Sequence, residues 1–303
     1  MQMETVKSPP PTSPLPPSAA RLWRAAAQRN LRNQWSQMAS HRKDWSSLSS
    51  RALSHANEAL NYHLHQQYMP HKALGVLTDM PLIRTRASIK LHNRQVIAMR
   101  ELLESYKALV DVLRKMFEAS RLFRCFLKGS INSPLLQFSE RYEQKGDNGD
   151  PGDGGGIPVY AFLSISSHEK YAEELVRMFS LELCMKRFLV LEFMSLGYDS
   201  SQVKQLSWSA ELYAGEFKHL SDCNLYSGET HGPVLPRSRD GKSDMFALTF
   251  DNQLSSDVLE VYLTTWRAEL NIDIFRVNEI FEIVGEEMHI KLCQAAIPEK
   301  TKL

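Results

Sequence analysis

The sequence has few cysteines, no long apolar run and, over its first half, almost no glycine. Each shortage removes a class of protein. The four cysteines, Cys125, Cys184, Cys223 and Cys293, stand far apart in 303 residues, with no CxxC and no Cys/His cluster. A structural zinc site needs four ligands at short paired spacing, so none is encoded. Cys125 and Cys184 fall inside apolar helical patterns, where a buried free thiol is the ordinary reading. Free thiols fit the reducing cytosol or nucleus. No stretch approaches the roughly 18 apolar residues of a membrane span, and the first residues show no charged-then-apolar leader pattern. Catalytic signatures are also missing: there is no GxSxG, no HExxH, no DxDxG loop and no kinase set. The expectation is a protein that is not an enzyme, with no catalytic residues, no cofactor and no resident metal.

Net charge is nearly absent too, with 36 Lys+Arg against 35 Asp+Glu. The balance hides two unlike parts. Residues 1–130 carry 20 basic and 8 acidic side chains, and residues 131–303 carry 16 and 27. A wholesale nucleic-acid binder, basic throughout, is excluded. A hydrophobic fraction of 43% supplies a core, so the chain is not disordered throughout.

What is present is helical patterning. Residues 1–17 are rich in Pro, Ser and Thr and read as an extended tail. Within it, Ser8-Pro9 and Ser13-Pro14 are minimal proline-directed phosphorylation sites, as is Ser133-Pro134 further on. Ser18 suits a helix N-cap. No Pro or Gly follows until Pro70, and Leu31, Trp35, Met38, Trp45, Leu48, Ala52, Ala56, Leu60, Leu64 and Tyr68 form one helical stripe. A second helical region is expected from about residue 71 to 127, interrupted at Pro81. In it Val96, Met99, Leu103, Tyr106, Val110, Leu113 and Phe117 alternate three and four apart as a heptad seam. Two such helices in succession predict an elongated antiparallel hairpin or coiled coil over residues 18–128.

Residues 129–156, rich in Gly and acid, read as a flexible linker and the main domain boundary. Its GDGGG run lacks the third glycine of a dinucleotide loop and the lysine of a phosphate loop. Residues 157–290 read as a smaller helical region, with an irregular insertion at 198–254 and a short helix near 203–207. Residues 291–303 form a final tail. Ser166 and Glu169 make a capping box for a third helix from residue 168 to 196, stopped by Gly197. Its later half is apolar nearly all round, so other helices or a partner must enclose it. Glu182 and Lys186, four apart, make a modest pair, and Glu173, Glu174 and Glu182 read as a solvated face. Ile157 to Ile165 reads as an extended lead into that helix. Ser256 and Asp273 cap two last helices, the second stopped by Gly285. The fold class is therefore all-α.

Three features could carry a function. His63 and His65, with His71 nearby, are weak metal candidates, since residues two apart face different sides of a helix. Arg21, Arg24, Arg29, Arg32, Arg42 and Lys43 precede the first acid of the folded part, Asp44, and interleave with Trp23, Trp35 and Trp45. Such a helix suits nucleic acid, an acidic protein or the chain's own acidic half. The tryptophans fit the apolar stripe, which favours burial over base stacking. Arg-x-Leu cyclin-docking matches begin at Arg29, Arg51, Arg100 and Arg187, but their leucines belong to packed helices.

Three stretches together resemble the cyclin-dependent kinase 2-interacting protein family. The first is ARLWRAAAQRNLRNQWSQM. The second is the helix with Met178, Phe179, Glu182, Leu183, Lys186 and Arg187, similar to the family's M-Y/F-x-x-E-L-x-x-K-R pattern. The third holds Tyr262-Leu263 and Trp266, similar to Y-L-x-x-W, with Glu279, Glu282 and Gly285 in the last helix. The chain departs from the family in its longer 198–254 region, in Leu163 where a Trp is usual, and in its Pro-rich tail and Gly-rich stretch. The resemblance implies a nuclear, also cytoplasmic, adaptor without catalytic activity and without a membrane anchor. Implied partners are cyclin-dependent kinase and replication-kinase complexes serving the checkpoint. Also implied is an assembly of two AAA+ ATPases with a second small helical subunit, linked to replisome turnover and ribosome biogenesis. Partner contacts are expected at Leu103, Tyr106, Val110, Leu113 and Phe117, at the second stretch's motif residues, and at Tyr262 and Trp266. The rival reading is a nucleic-acid-associated protein binding through the basic helix.

Overall fold

A computed structural model describes residues 17–128, 137–140, 150–197, 207–235 and 256–292, and over these the chain is all-α. With no helix breaker before Pro70, α1 runs unbroken over Pro17–Tyr68. The remaining helices are α2 (Ile83–Arg121), α3 (Ile165–Ser195), α4 (Glu216–Asp222), α5 (Ser256–Ala268) and α6 (Ile274–Met288). Two short antiparallel ribbons accompany them: β1 (Phe126–Lys128) with β2 (Gln137–Ser139), and β3 (Tyr226–Ser227) with β4 (Gly232–Pro233). No helix among the described residues is long and apolar enough to cross a membrane. The tail serines Ser8 and Ser13, Ser133, residues 203–206 and Cys293 lie outside the described residues.

The chain divides into two compact units. One comprises Met1–Ala39, Glu118–Glu174 and Phe275–Leu303, and the other Ser40–Phe117 and Leu175–Ile274. The long helices α1, α2 and α3 each contribute a segment to both.

The first unit is built around aromatic rings. Trp35 stacks on Phe123 with centroids 5.4 Å apart and meets the edge of Phe281 at 5.9 Å. Trp23, Ala27 and Leu31 continue the same buried stripe of α1. Residues 150–156, expected as linker, are instead packed here. The Asp150 carboxylate accepts the Leu127 and Gly152 amides, both at 2.9 Å, and the Cys125 amide donates to the Gly152 carbonyl at 2.9 Å. Gly154 is buried with φ +69°, and a Cβ there would clash with the edge of the Trp23 ring. Gly152 and Gly154 serve close packing at left-handed backbone angles, a use that composition does not separate from flexibility.

Two further expectations about helix ends are corrected in this unit. Ser164, not Ser166, caps α3, its Oγ accepting the Ser167 amide at 3.4 Å. Glu169 is drawn away from a capping box by Arg124, which it binds in a fork at 2.6 and 3.0 Å. Gly285 does not stop α6, which continues to Met288. The glycine is buried, and a Cβ would stand 2.8 Å from the Ile290 carbonyl oxygen of the returning chain. The left-handed residue that ends the helix is His289, φ 54°.

In the second unit α1 and α2 run antiparallel. His55 meets Glu101, Gln66 meets Gln95, and Ala59 packs with Ala98 and Met99. The region from residue 71 is not helical until Ile83; a 3₁₀ turn at Gly75–Leu77 and Pro81 come first. A residue before proline is pushed out of the helical region, which delays the start. The heptad seam is also rotated. Met99, Tyr106, Val110 and Leu113 are buried as expected, but Leu103 and Phe117 are only half-buried and Val96 is exposed. The buried face is centred on Ala98, Leu102, Leu109 and Met116. Of the insertion, residues 207–235 are not irregular: they carry α4 and the β3–β4 ribbon. Cys125, Cys184 and Cys223 are free and buried, and burial pushes their thiols up to about 11, 12 and 12.

Candidate functional site

The apolar half of α3 is enclosed within the second unit, and it carries two adjacent cations into the interior. Lys186 and Arg187 are 0% and 1% exposed. A buried cation requires partners, because removal from water costs several kcal/mol per ion. Lys186 Nζ lies 3.2 Å from Glu182 and 3.5 Å from Glu269, and donates to the Trp266 carbonyl at 3.1 Å. It also stands over the Trp266 ring at 4.5 Å. Each carboxylate is held in turn. Glu269 accepts from Trp45 Nε1 at 3.2 Å and Ser49 Oγ at 2.8 Å, and Glu182 accepts two Asn271 donors at 3.1 Å.

Arg187 is answered separately. It forks onto Glu216 at 2.9 and 3.2 Å, donates to the Trp208 and Ala210 carbonyls at 2.9 and 2.7 Å, and stacks over the Trp208 ring at 4.6 Å. Glu216 also accepts the Tyr106 hydroxyl at 2.7 Å and the Leu212 amide at 2.7 Å. Burial, with the Glu216 charge beside it, raises the Tyr106 phenol well above its ordinary value. The Glu182–Lys186 pair is thus an interior ion pair, not the modest surface pair its spacing predicts.

These networks absorb the expected partner-contact residues. Tyr106, Val110, Leu113, Met178, Phe179, Glu182, Leu183, Lys186, Arg187 and Trp266 are all buried inside the unit. Leu103, Phe117 and Tyr262 are half-buried. The structure joins Lys186 to Trp266 and Tyr106 to Arg187 through Glu216. Glu216, Glu269 and Asn271 had no sequence signal, since each lies beside a loop and follows no periodicity. Of the glutamates read as a solvated face, only Glu173 is exposed. Glu174 forks onto Arg276 at 2.8 Å.

The basic helix keeps its cations at the surface. Arg21, Arg24, Arg29 and Arg32 are exposed in the first unit, and Lys43 is exposed in the second. Arg32 lies 5.6 Å from the Tyr160 ring centroid, and Arg42 is half-buried with a partner. Trp23, Trp35 and Trp45 are buried at 0–1% exposure, so none offers a face to a base. The Arg-x-Leu matches are occluded: Leu31, Leu102 and Leu189 are buried and Leu53 is half-buried.

Two titratable groups lie outside these networks. His168 is fully buried; its Nδ1 accepts from Trp35 Nε1 at 3.1 Å, and burial lowers its pKa to about 4. Glu192 is 5% exposed, and burial raises it to about 7. His63, His65 and His71 do not converge. Among the described residues one other group, His55 with Glu58 and Glu101, brings three donor atoms within 4.8 Å. His55 Nδ1 lies 3.1 Å from the Glu101 carboxylate, on the facing helices α1 and α2.

Compared with family models, with curated proteins and with solved structures, the chain matches none.

Proposed function

We propose that the chain is a non-enzymatic helical adaptor of cell-cycle and genome-maintenance complexes, acting in the nucleus and also the cytoplasm. In this reading it joins kinase-associated replication and checkpoint assemblies. It also serves beside a pair of AAA+ ATPases and a second small helical subunit in replisome turnover or ribosome biogenesis. One observation carries the reading. The α3 stretch and the Tyr262–Trp266 stretch, on which the family resemblance rests, are joined by Lys186 reaching the carbonyl and ring of Trp266. Residues matched as separate motifs, on α3 and α5, thereby meet in one buried network of the second unit.

The test is reconstitution of the full chain with the AAA+ pair and the small helical subunit, followed by size-exclusion chromatography. Co-elution in fixed ratio is expected. Elution of the chain alone, together with no kinase or AAA+ protein recovered on affinity purification, overturns the reading. Substitution of Leu113 is no test of binding, because its side chain is interior. Exposed Arg21, Arg24 and Arg29 keep the nucleic-acid reading alive in a narrower form, phosphate contact without base stacking. Real phosphate contacts make affinity fall steeply with salt.

A further inference from the structure

The connection between α1 and α2 departs from the chemistry of the interior around it. Val76, Leu82 and Ile89 are 94%, 67% and 57% exposed, and Leu77, Met80 and Ile97 are exposed with them. Between Glu58 and Glu101 the only acid is Asp79, against Lys72, Arg84, Arg86, Lys90, Arg94 and Arg100. Arg84 has a structural task, donating to the Met69 and Pro70 carbonyls at 2.6 and 3.0 Å. Among the described residues the other five have no ion-pair partner.

Local rules are broken here together. The first turn of α2 holds no acid, although cations there oppose the helix dipole. Its preceding residue, Leu82, is apolar, exposed and at φ 61°, where a polar cap is the norm. Such a cluster of exceptions marks a surface kept for something other than stability. On α2, Arg86, Ile89, Lys90, Asn93, Ile97 and Arg100 recur at three- and four-residue spacing and are all exposed, so they share one face. Ile89 and Ile97 are about 12 Å apart along the axis, two turns of an opposing helix.

We propose that this basic, apolar surface, from the 3₁₀ turn to Arg100, docks an acidic amphipathic helix of a protein partner. The partner's apolar stripe meets Ile89, Ile97 and Val76, and its carboxylates meet Arg86, Lys90 and Arg94. Charge complementarity selects an acidic occupant. Its apolar side chains are aliphatic, Val76, Leu82, Ile89 and Ile97, with no tryptophan or phenylalanine among them, which suits a helix's apolar stripe better than stacked bases. Its cations are interleaved with the isoleucines rather than segregated from them, which disfavours lying flat in a lipid interface. The proposal deepens the adaptor reading and rests on it.

The test uses the full chain and a fluorescent helical peptide with leucines along one stripe and glutamates flanking it, read by anisotropy. Micromolar binding is expected, weakened about tenfold by Ile89→Asp and again by Arg86→Glu with Lys90→Glu. All three positions are exposed, and unchanged circular dichroism verifies the fold of each variant. Three parallel arms use phosphatidylserine–phosphatidylcholine vesicles, a duplex DNA, and sedimentation of the chain alone. Absence of peptide binding at low salt overturns the proposal, as does equal binding by the Ile89→Asp variant. Tighter binding to vesicles or duplex, or self-association abolished by Ile89→Asp, also overturns it and names the occupant instead. Reconstitution separates the two readings. An AAA+ complex undiminished by Ile89→Asp sinks this surface and spares the adaptor, whereas no complex with the unaltered chain sinks the adaptor.

Discussion

In the first unit Trp23, Asn30 and Glu287 answer to backbone. Trp23 Nε1 donates to the Cys125 carbonyl and Asn30 to the Phe123 carbonyl, both at 3.2 Å. One oxygen of Glu287 accepts the amides of Ala161, Phe162 and Leu163 at 2.7–2.9 Å. In the second unit Lys186 and Arg187 answer mainly to charge, Lys186 through Glu182 and Glu269, and Arg187 through Glu216. The difference follows from local structure. The first unit folds non-α-helical segments at 122–128 and 150–164, whose amides and carbonyls lack α-helical partners and recruit side chains. Around α3 the backbone is already satisfied, so side chains that enter the interior charged must find each other.

Breaking the ionic side of this contrast has the largest expected effect. Arg187→Met leaves the Glu216 carboxylate buried without its cation, a loss of about 3–5 kcal/mol. Adding Glu216→Gln removes the stranded charge and should restore part of that, since residues in one network do not act additively. Urea denaturation of the single and double variants measures both. A double variant as unstable as the single would show that shape, not charge, dominates the site.

A pH profile separates the units next. His168 holds near 4 when folded against 6.5 when free, so the unfolded chain takes up its proton first. Its contribution is complete above pH 6.5 and falls by about 3 kcal/mol as pH drops to 4. Glu192 has the opposite sign. Raised to about 7 from 4.5, it contributes fully below pH 4.5 and loses about 3 kcal/mol as pH rises to 7. Hydrogen exchange should show acid loosening the Trp35–Phe123 core and rising pH loosening the segment around Phe193. His168→Gln flattens the first limb and Glu192→Gln the second. Both limbs appearing in the same segments would dissolve the distinction.

Gly154→Ala sharpens the comparison from the backbone side. It forces a Cβ against the edge of the Trp23 ring at a left-handed φ, and a loss of about 1–3 kcal/mol is expected. Thermal melts measure it. An unchanged melting temperature would return residues 150–156 to the status of a linker.

How much of this the sequence showed depends on distance along the chain. Trp35, Trp45 and Ala52 could be placed on one stripe because their spacing is local. The burial of Lys186 could not be read, because Glu269 and Trp266 lie far away in sequence and only packing brings them together. The seam of α2 was displaced for a related reason. Leu102, Leu103, Leu109 and Val110 are all apolar, so spacing alone permits two neighbouring registers, and burial selects the one through Leu102 and Leu109. Gly152 and Gly154 look like linker residues in sequence because left-handed packing and flexibility ask for the same residue. Most of the expected partner-contact residues are interior because a helix apolar on all sides can be enclosed by its own chain as well as by another.

The smallest expected effect is the most informative about function. Leu113 and Ile89 lie on the same helix within the second unit, one fully buried and one 57% exposed. Leu113→Asp puts a charge in the interior and should unfold the unit, whereas Ile89→Asp should shift stability by less than about 0.5 kcal/mol. If Ile89→Asp instead destabilises by more than about 1 kcal/mol in urea, its side chain is packed in solution. The exposed stretch would then belong with the interior of α3, and the contrast between a sealed core and an open basic surface would fail at its clearest point.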